Sequence, residues 1–235
     1  MIPPMRRLLR ILSVSLTTAG VVILIDAAVT LAWQEPISAI YGSIQQSKAS
    51  SQLEDAKRDF LAEPAVVDLP PLENVERRAE ELAGIYARKL RNGDAFGRIE
   101  IPAIDADFVV IEGTDEGDLQ RGPGHYPTTA LPGQGRTVAI AGHRTTYGAP
   151  FNRIDQIGAG DEIRLEMPYA TFTYEVTKTD IVDPTDVGIV DDVGRERLVL
   201  TACHPLYSAA QRYAVFADLA DVSLFPAGEG EFPPP

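Results

Sequence analysis

The sequence predicts a mainly β domain, closed or nearly closed, behind an N-terminal apolar helix. Three observations carry this. From Phe96 onward, short apolar or alternating runs are bounded by Gly, Pro and Asp clusters. Upstream, Ile11 to Trp33 is apolar enough and long enough for a bilayer core, which takes about 20 helical residues. Between them lies polar sequence rich in Ser, Gln, Lys and Asp.

Residues 1–10 carry Arg6, Arg7 and Arg10 and read as a short basic cytoplasmic segment. Residues 11–33 read as a transmembrane signal-anchor with Trp33 as its outer interfacial residue. Basic residues before the span and an acidic body after it predict a cytoplasmic N-terminus and an extracellular domain. A cleaved signal peptide is the competing reading, and Ala27, Ala28 and Ala32 keep cleavage open. Its apolar core normally runs only about 7–15 residues, which Leu8 to Ile25 exceeds. Asp26, the one acid in the span, reads as an outer-third residue reached by water.

Residues 34–72 read as a polar stalk, helical in the second half from Gln52 to Leu61 and interrupted by Pro64, Pro70 and Pro71. Residues 73–95 read as a helix packed on the domain. Its acids come first, Arg88, Lys89 and Arg91 come last, and Leu82, Ile85, Tyr86 and Leu90 make one apolar face. Strands follow at Arg98–Ile104, Phe108–Ile111, Thr137–Ala141, Glu162–Met167, Thr171–Val182, Arg197–Ala202 and Arg212–Val222. A brief helical piece fits Pro150 to Ile157. The domain is therefore 96–225, and 226–235 is a proline-rich acidic tail without a fold of its own.

Composition excludes several classes. The 235 residues are 45% hydrophobic and 23% charged, with a formal net charge of −13, which disfavours nucleic acid. A single cysteine cannot form an intramolecular disulfide, and no CxxC or HExxH is present, so neither structural zinc nor a cofactor is expected. Glu112, Asp115, Glu116 and Asp118 read as a solvated polar loop rather than a calcium site.

The chemistry points to that cysteine. Cys203 closes the run Leu198-Val199-Leu200-Thr201-Ala202, and Arg212 opens the next strand with a fixed positive charge. His143 ends the run Val138 to Gly142 as Cys203 ends its own, so two strand ends at one rim can join imidazole and thiol. His125 lies in Gly122-Pro123-Gly124-His125-Tyr126-Pro127, a loop where a solvent-facing histidine is common. His204 adjoins Cys203, but successive strand residues point to opposite faces. An inert buried thiol in a membrane-tethered binding domain is the alternative.

Thr201-Ala202-Cys203 followed by Arg212 resembles the sortase signature TLxTC with its downstream arginine, and Ala139 to Arg144 resembles the segment bearing that family's histidine. Gly122 to Pro127, Gly142 to Gly148, and Cys203-His204-Pro205 leading to Gln211-Arg212 are similar to the actinobacterial class E group. Ala202 departs from the usual small polar residue. The resemblance implies an eight-stranded sortase β-barrel and a cysteine transpeptidase, with Cys203 as nucleophile, His143 as acid/base and Arg212 as oxyanion or positioning group. It also implies substrate contacts at Tyr126, Thr201, Ala202 and His204.

The implied substrates are surface proteins with a C-terminal sorting signal of LPxTG type, here LAxTG, cut between Thr and Gly. Tyr126 is the position linked to that alanine preference. The implied acceptor is an amine of peptidoglycan precursor or cross-bridge. A pilus-polymerising sortase uses the same chemistry and stays open. An L,D-transpeptidase would need a Ser-x-Gly-Cys-x-Arg segment, which Cys203-His204-Pro205-Leu206 does not match.

Overall fold

The computed structural model describes residues 4–33, 36–69 and 74–225. The tail 226–235, Pro70, Pro71 and the side chain of Trp33 lie outside them.

The chain begins with helix α1 (Pro4–Trp33), in which Arg6–Ala28 is long and apolar enough to cross a membrane and none of which is buried. Helix α2 (Pro36–Leu61) follows, then the single turn α3 (Pro64–Val67) and helix α4 (Val75–Ala87). The sequence placed helix in the linker only from Gln52, whereas α2 starts at Pro36 and lies against the domain. Ala49 and Leu53 are buried there with Ala95, Val109 and Ile111. Gln46 bonds to the backbone of Val109 through both donor and acceptor, and its amide also donates to the Arg121 carbonyl. The polar linker is thus a docked helix.

The α4 helix ends at Ala87, short of the expected stretch to 95. The Asn74 side chain accepts from the Arg77 amide at its start. At its far end Gly93 has φ +85, which reverses the chain into the first strand. The buried face Ala79, Leu82, Ala83, Ile85 and Tyr86 joins the main core.

Eight strands close into a barrel: β1 (Ala95–Ile101), β2 (Ala106–Glu112), β3 (Gly124–His125), β4 (Thr137–Gly142), β5 (Glu162–Glu166), β6 (Ala170–Val182), β7 (Arg197–His204) and β8 (Gln211–Leu224). Their order around the barrel is β1-β2-β3-β4-β7-β8-β6-β5. Closure gives every strand a neighbour on both sides. β3 is only two residues long within a Gly-Pro-Gly sequence, too short for any periodicity to show it. The short turn α5 (Glu116–Leu119) joins β2 to β3.

One feature of the pairing positions the site. β4 and β7 are parallel, with Gly142 beside Ala202, and β7 and β8 are antiparallel, with Cys203 beside Arg212. Side chains alternate across this three-stranded sheet. Val138, Ile140, Leu198, Leu200, Ala202, Val215 and Ala217 face the barrel core. Ala139, Val199, Ala214 and Phe216 form a second apolar layer on the outer face.

Candidate active site

By that alternation Cys203 shares the outer face with Val199 and Thr201, and Arg212 shares it with Ala214 and Phe216. His143 continues β4 one residue beyond its last pair with β7 and shares the face of Ala139. All three residues therefore emerge on one side of adjacent strand ends, where neighbouring strands run about 4.8 Å apart. Cys203 is half-buried, accessible to a substrate yet partly removed from water.

His143 is also half-buried, its ring 5.3 Å from that of Tyr147, and its Nε2 is buried without a hydrogen-bond partner among the described residues. Burial lowers its pKa from the usual 6.5, against a weaker upward pull from the Glu116 charge. A neutral imidazole with a free ring nitrogen is a group ready to exchange a proton.

The Arg212 guanidinium donates through Nη1 to the carbonyls of Ala209 and Gln211 and makes no ion pair among the described residues. Among the described residues, no carboxylate neutralises its charge.

Two clefts lie near these strand ends, one lined by Cys203 and the other by Arg212. One, of about 360 Å³, is lined by Arg144, Thr145, Cys203, Tyr207, Ser208 and Ala209. The other, of about 80 Å³, lies among Tyr126, Thr201, Arg212 and the β6–β7 connection at Asp183, Val187 and Ile189. A larger cleft of about 460 Å³ between α2 and α4 includes Gln52, Asp55 and Lys89 but neither thiol nor imidazole. The cleft with the greatest volume of the three is therefore not the one that holds the thiol.

The other expected contacts divide. Tyr126 Oη is 3.0 Å from Thr201 Oγ1, and both line the smaller cleft. The Ala202 methyl faces the barrel core and is 3% exposed, so it has no surface to offer a substrate side chain. His204 points to the face opposite Cys203; its Nδ1 accepts from Arg144, and its ring lies 5.8 Å from that of Tyr213. Neither Ala202 nor His204 lines either cleft.

His125 corrects the expectation of a solvent-facing loop residue. It is fully buried on β3, stacked on Phe96 with ring centroids 4.2 Å apart. Its Nδ1 lies 2.7 Å from Glu112 Oε2 and its Nε2 3.0 Å from the Ala130 carbonyl. Glu112 and Asp118 are likewise buried rather than solvated. This histidine is committed to structure on both nitrogens, which sets it apart from His143.

Arg144 was not singled out by sequence. It is 4% exposed, pairs with Asp155, and donates to the carbonyls of Asn152 and Cys203 and to His204 Nδ1. It ties the loop after β4 to the end of β7. The signal for it was an arginine immediately after a strand-end histidine, which says little until its carboxylate partner is located.

Comparison with known proteins agrees with this geometry. The sortase domain family model matches residues 99–220. Sortase D of Bacillus subtilis is 39% identical over 132 residues, covering 54% of this chain and 65% of that protein. The chain thus spans slightly less than two thirds of that relative's length. A sortase E structure from Streptomyces avermitilis superposes with a TM-score of 0.53 at 36% identity, covering 60% of this chain and 97% of that one. A Clostridium perfringens Sortase D5 transpeptidase structure gives 0.59 at 25% identity, covering 75% and 99%. With the family model covering half of the sequence and the barrel matching those of sortases, the chain belongs to the sortase family.

Proposed function

We propose that this chain is a membrane-anchored cysteine transpeptidase. It cleaves a C-terminal sorting signal between Thr and Gly and transfers the protein to a peptidoglycan amine. The observation that carries the reading is the convergence of Cys203, His143 and Arg212 on one outer face of the β4-β7-β8 strand ends. In the first half-reaction the Cys203 thiolate attacks the threonine carbonyl carbon. Arg212 stabilises the resulting oxyanion, and its charge persists at every accessible pH. The C–N bond breaks as the His143 imidazolium gives its proton to the leaving glycine amine, leaving a thioester on Cys203. In the second half the neutral His143 takes a proton from the incoming amine, which attacks the thioester and releases the thiolate. Charge and protons balance over the cycle.

Two clefts near the same strand ends, one lined by Cys203 and the other by Arg212, suit a transferase. The acyl donor occupies the cleft of Tyr126, Thr201 and Arg212, and the amine approaches past Tyr207 and Ser208. Tyr126, beside Thr201 in the smaller cleft, is the residue to which we attach an LAxTG preference. Likeness to a sortase E structure supports a class E assignment, whereas the Sortase D relative points to a different class. The apolar span Arg6–Ala28 supports the anchor, and Arg6, Arg7 and Arg10 support a cytoplasmic N-terminus.

The test is a two-substrate assay. The chain in detergent is given an LAxTG peptide with and without an added primary amine. A ligated peptide–amine product bears the reading out; cleavage that ignores the amine makes the protein a hydrolase instead.

A further inference from the structure

We propose that Tyr147 is a positioning residue for His143, and that α2 holds it there through Tyr41 and Gly42. The inference builds on the reading of His143 as the acid/base group. It assigns the linker helix a part in the active centre.

The contacts form a chain. The Tyr147 ring lies 5.3 Å from the His143 ring at an interplanar angle of 43°. On the other side, Tyr41 of α2 meets Tyr147 edge-on, with centroids 6.1 Å apart and planes at 70°. Gly42, the next residue of α2, is buried directly over the peptide that follows Tyr147. A Cβ on Gly42 would stand 2.7 Å from the Tyr147 carbonyl carbon and 3.0 Å from the Gly148 nitrogen. Helix backbone therefore rests on loop backbone, and no larger residue fits without moving one of them.

The loop needs such a support. Tyr147, Gly148 and Ala149 have φ values of 53, 80 and 45, three successive residues in the left-handed region. Two of them carry a Cβ that disfavours this conformation. From below, the Phe151 amide donates to the His143 carbonyl and the Ala149 amide to the Thr146 carbonyl. From above there is α2. Its own position is fixed farther along by Gln46 on β2 and by the buried Leu53. A disturbance at Gly42 is thus passed to Tyr147 rather than relieved by the helix drifting away.

The consequence falls on His143. Its lowered pKa comes chiefly from burial, with Glu116 the charged group acting on it. Tyr147 is an aromatic wall of that enclosure. Displacing it wets the imidazole and loosens its aim at the leaving amine, which costs turnover more than substrate binding.

The experiment uses the full chain in detergent with Gly42→Val, Tyr147→Ala, Tyr147→Phe and, as a distant control, Gly84→Ala, whose new methyl would meet only the Arg88 side chain at 4.0 Å. The chain has three histidines, so histidine-selective labelling lets His143 be titrated by NMR without any substrate. Gly42→Val and Tyr147→Ala should each raise the His143 pKa toward 6.5 and lower kcat about tenfold while KM changes less than about twofold. Tyr147→Phe, which keeps the ring, should restore wild-type values, and Gly84→Ala should match wild type throughout.

An unchanged His143 titration in folded Gly42→Val and Tyr147→Ala overturns the proposal, whatever their turnover. So does a loss in Tyr147→Phe equal to that in Tyr147→Ala. Should wild type cleave no sorting peptide while the titration shifts as described, the positioning role stands and the transpeptidase reading falls.

Discussion

Cys203 and Arg212 sit directly opposite each other on the β7–β8 ladder, so the strand pairing itself sets the two residues side by side on one face. No long loop has to fold correctly to bring them together. Arg212→Ala should lower kcat by about 10²–10³-fold, the range for removing one oxyanion donor. Arg212→Lys should recover only part, because an ammonium is a point charge without the planar fork. Steady-state cleavage of a sorting peptide measures both, and equal rates for Arg212→Ala and wild type would remove Arg212 from the mechanism.

The acid limb of activity should lie lower than an ordinary histidine gives. Burial holds His143 below 6.5, so the doubly protonated, inactive Cys-His pair loses its proton at a lower pH. A pH profile of kcat/KM should therefore fall on the acid side with an apparent pKa under 6.5. Glu116→Gln removes the opposing charge and should push it lower still. Stability follows the same sign. In acid the folded state binds fewer protons at His143 than the unfolded chain, so this contribution is complete above 6.5 and is lost as pH falls.

Specificity should respond to Tyr126. Wild type should favour an LAxTG peptide over LPxTG by about tenfold or more in kcat/KM, a difference within reach of one pocket contact. Tyr126→Ala should narrow that ratio mainly through faster use of the proline peptide. If the ratio is unchanged, Tyr126 only packs against Thr201.

The His125–Glu112 pair should matter for stability. His125→Ala leaves the buried Glu112 carboxylate without its partner at 2.7 Å and empties the space over Phe96. Loss of one partner of a buried pair costs about 3–5 kcal/mol. Urea unfolding of variant and wild type reads it directly.

The docking of α2 carries a parallel expectation. Leu53→Ala should cost about 2–5 kcal/mol, since the side chain is 1% exposed against Val109 and Ile111. A soluble fragment begun near Glu73 would lack α2 altogether, so one begun at Pro36 should be the more stable and the more active.

The strands around the site were legible because their residues alternate and are bounded by turn formers, as in Arg197 to Ala202 and Arg212 to Val222. The docking of α2 was not. Its inward face runs through Gly42, Gln46, Ala49, Leu53 and Phe60, where close backbone approach and hydrogen bonds replace much of the apolar stripe. Composition reads that face as polar linker. His125 was misplaced for a related reason: a loop-like Gly-Pro-Gly setting hides a buried ring whose acceptors, Glu112 and Ala130, come from other segments. Cys203, His143 and Arg212 could be placed together because each marks a strand end, whereas Arg144 and Tyr147 act through contacts that only the fold supplies.

The most direct test of the central claim is to trap the acyl-enzyme. The chain is incubated with an LAxTG peptide, quenched in acid and digested, and the adduct is located by mass spectrometry. A thioester of the peptide's threonine should be found on Cys203 in wild type and be absent in Cys203→Ala. An adduct on any other residue, or normal cleavage by Cys203→Ala, would contradict that claim.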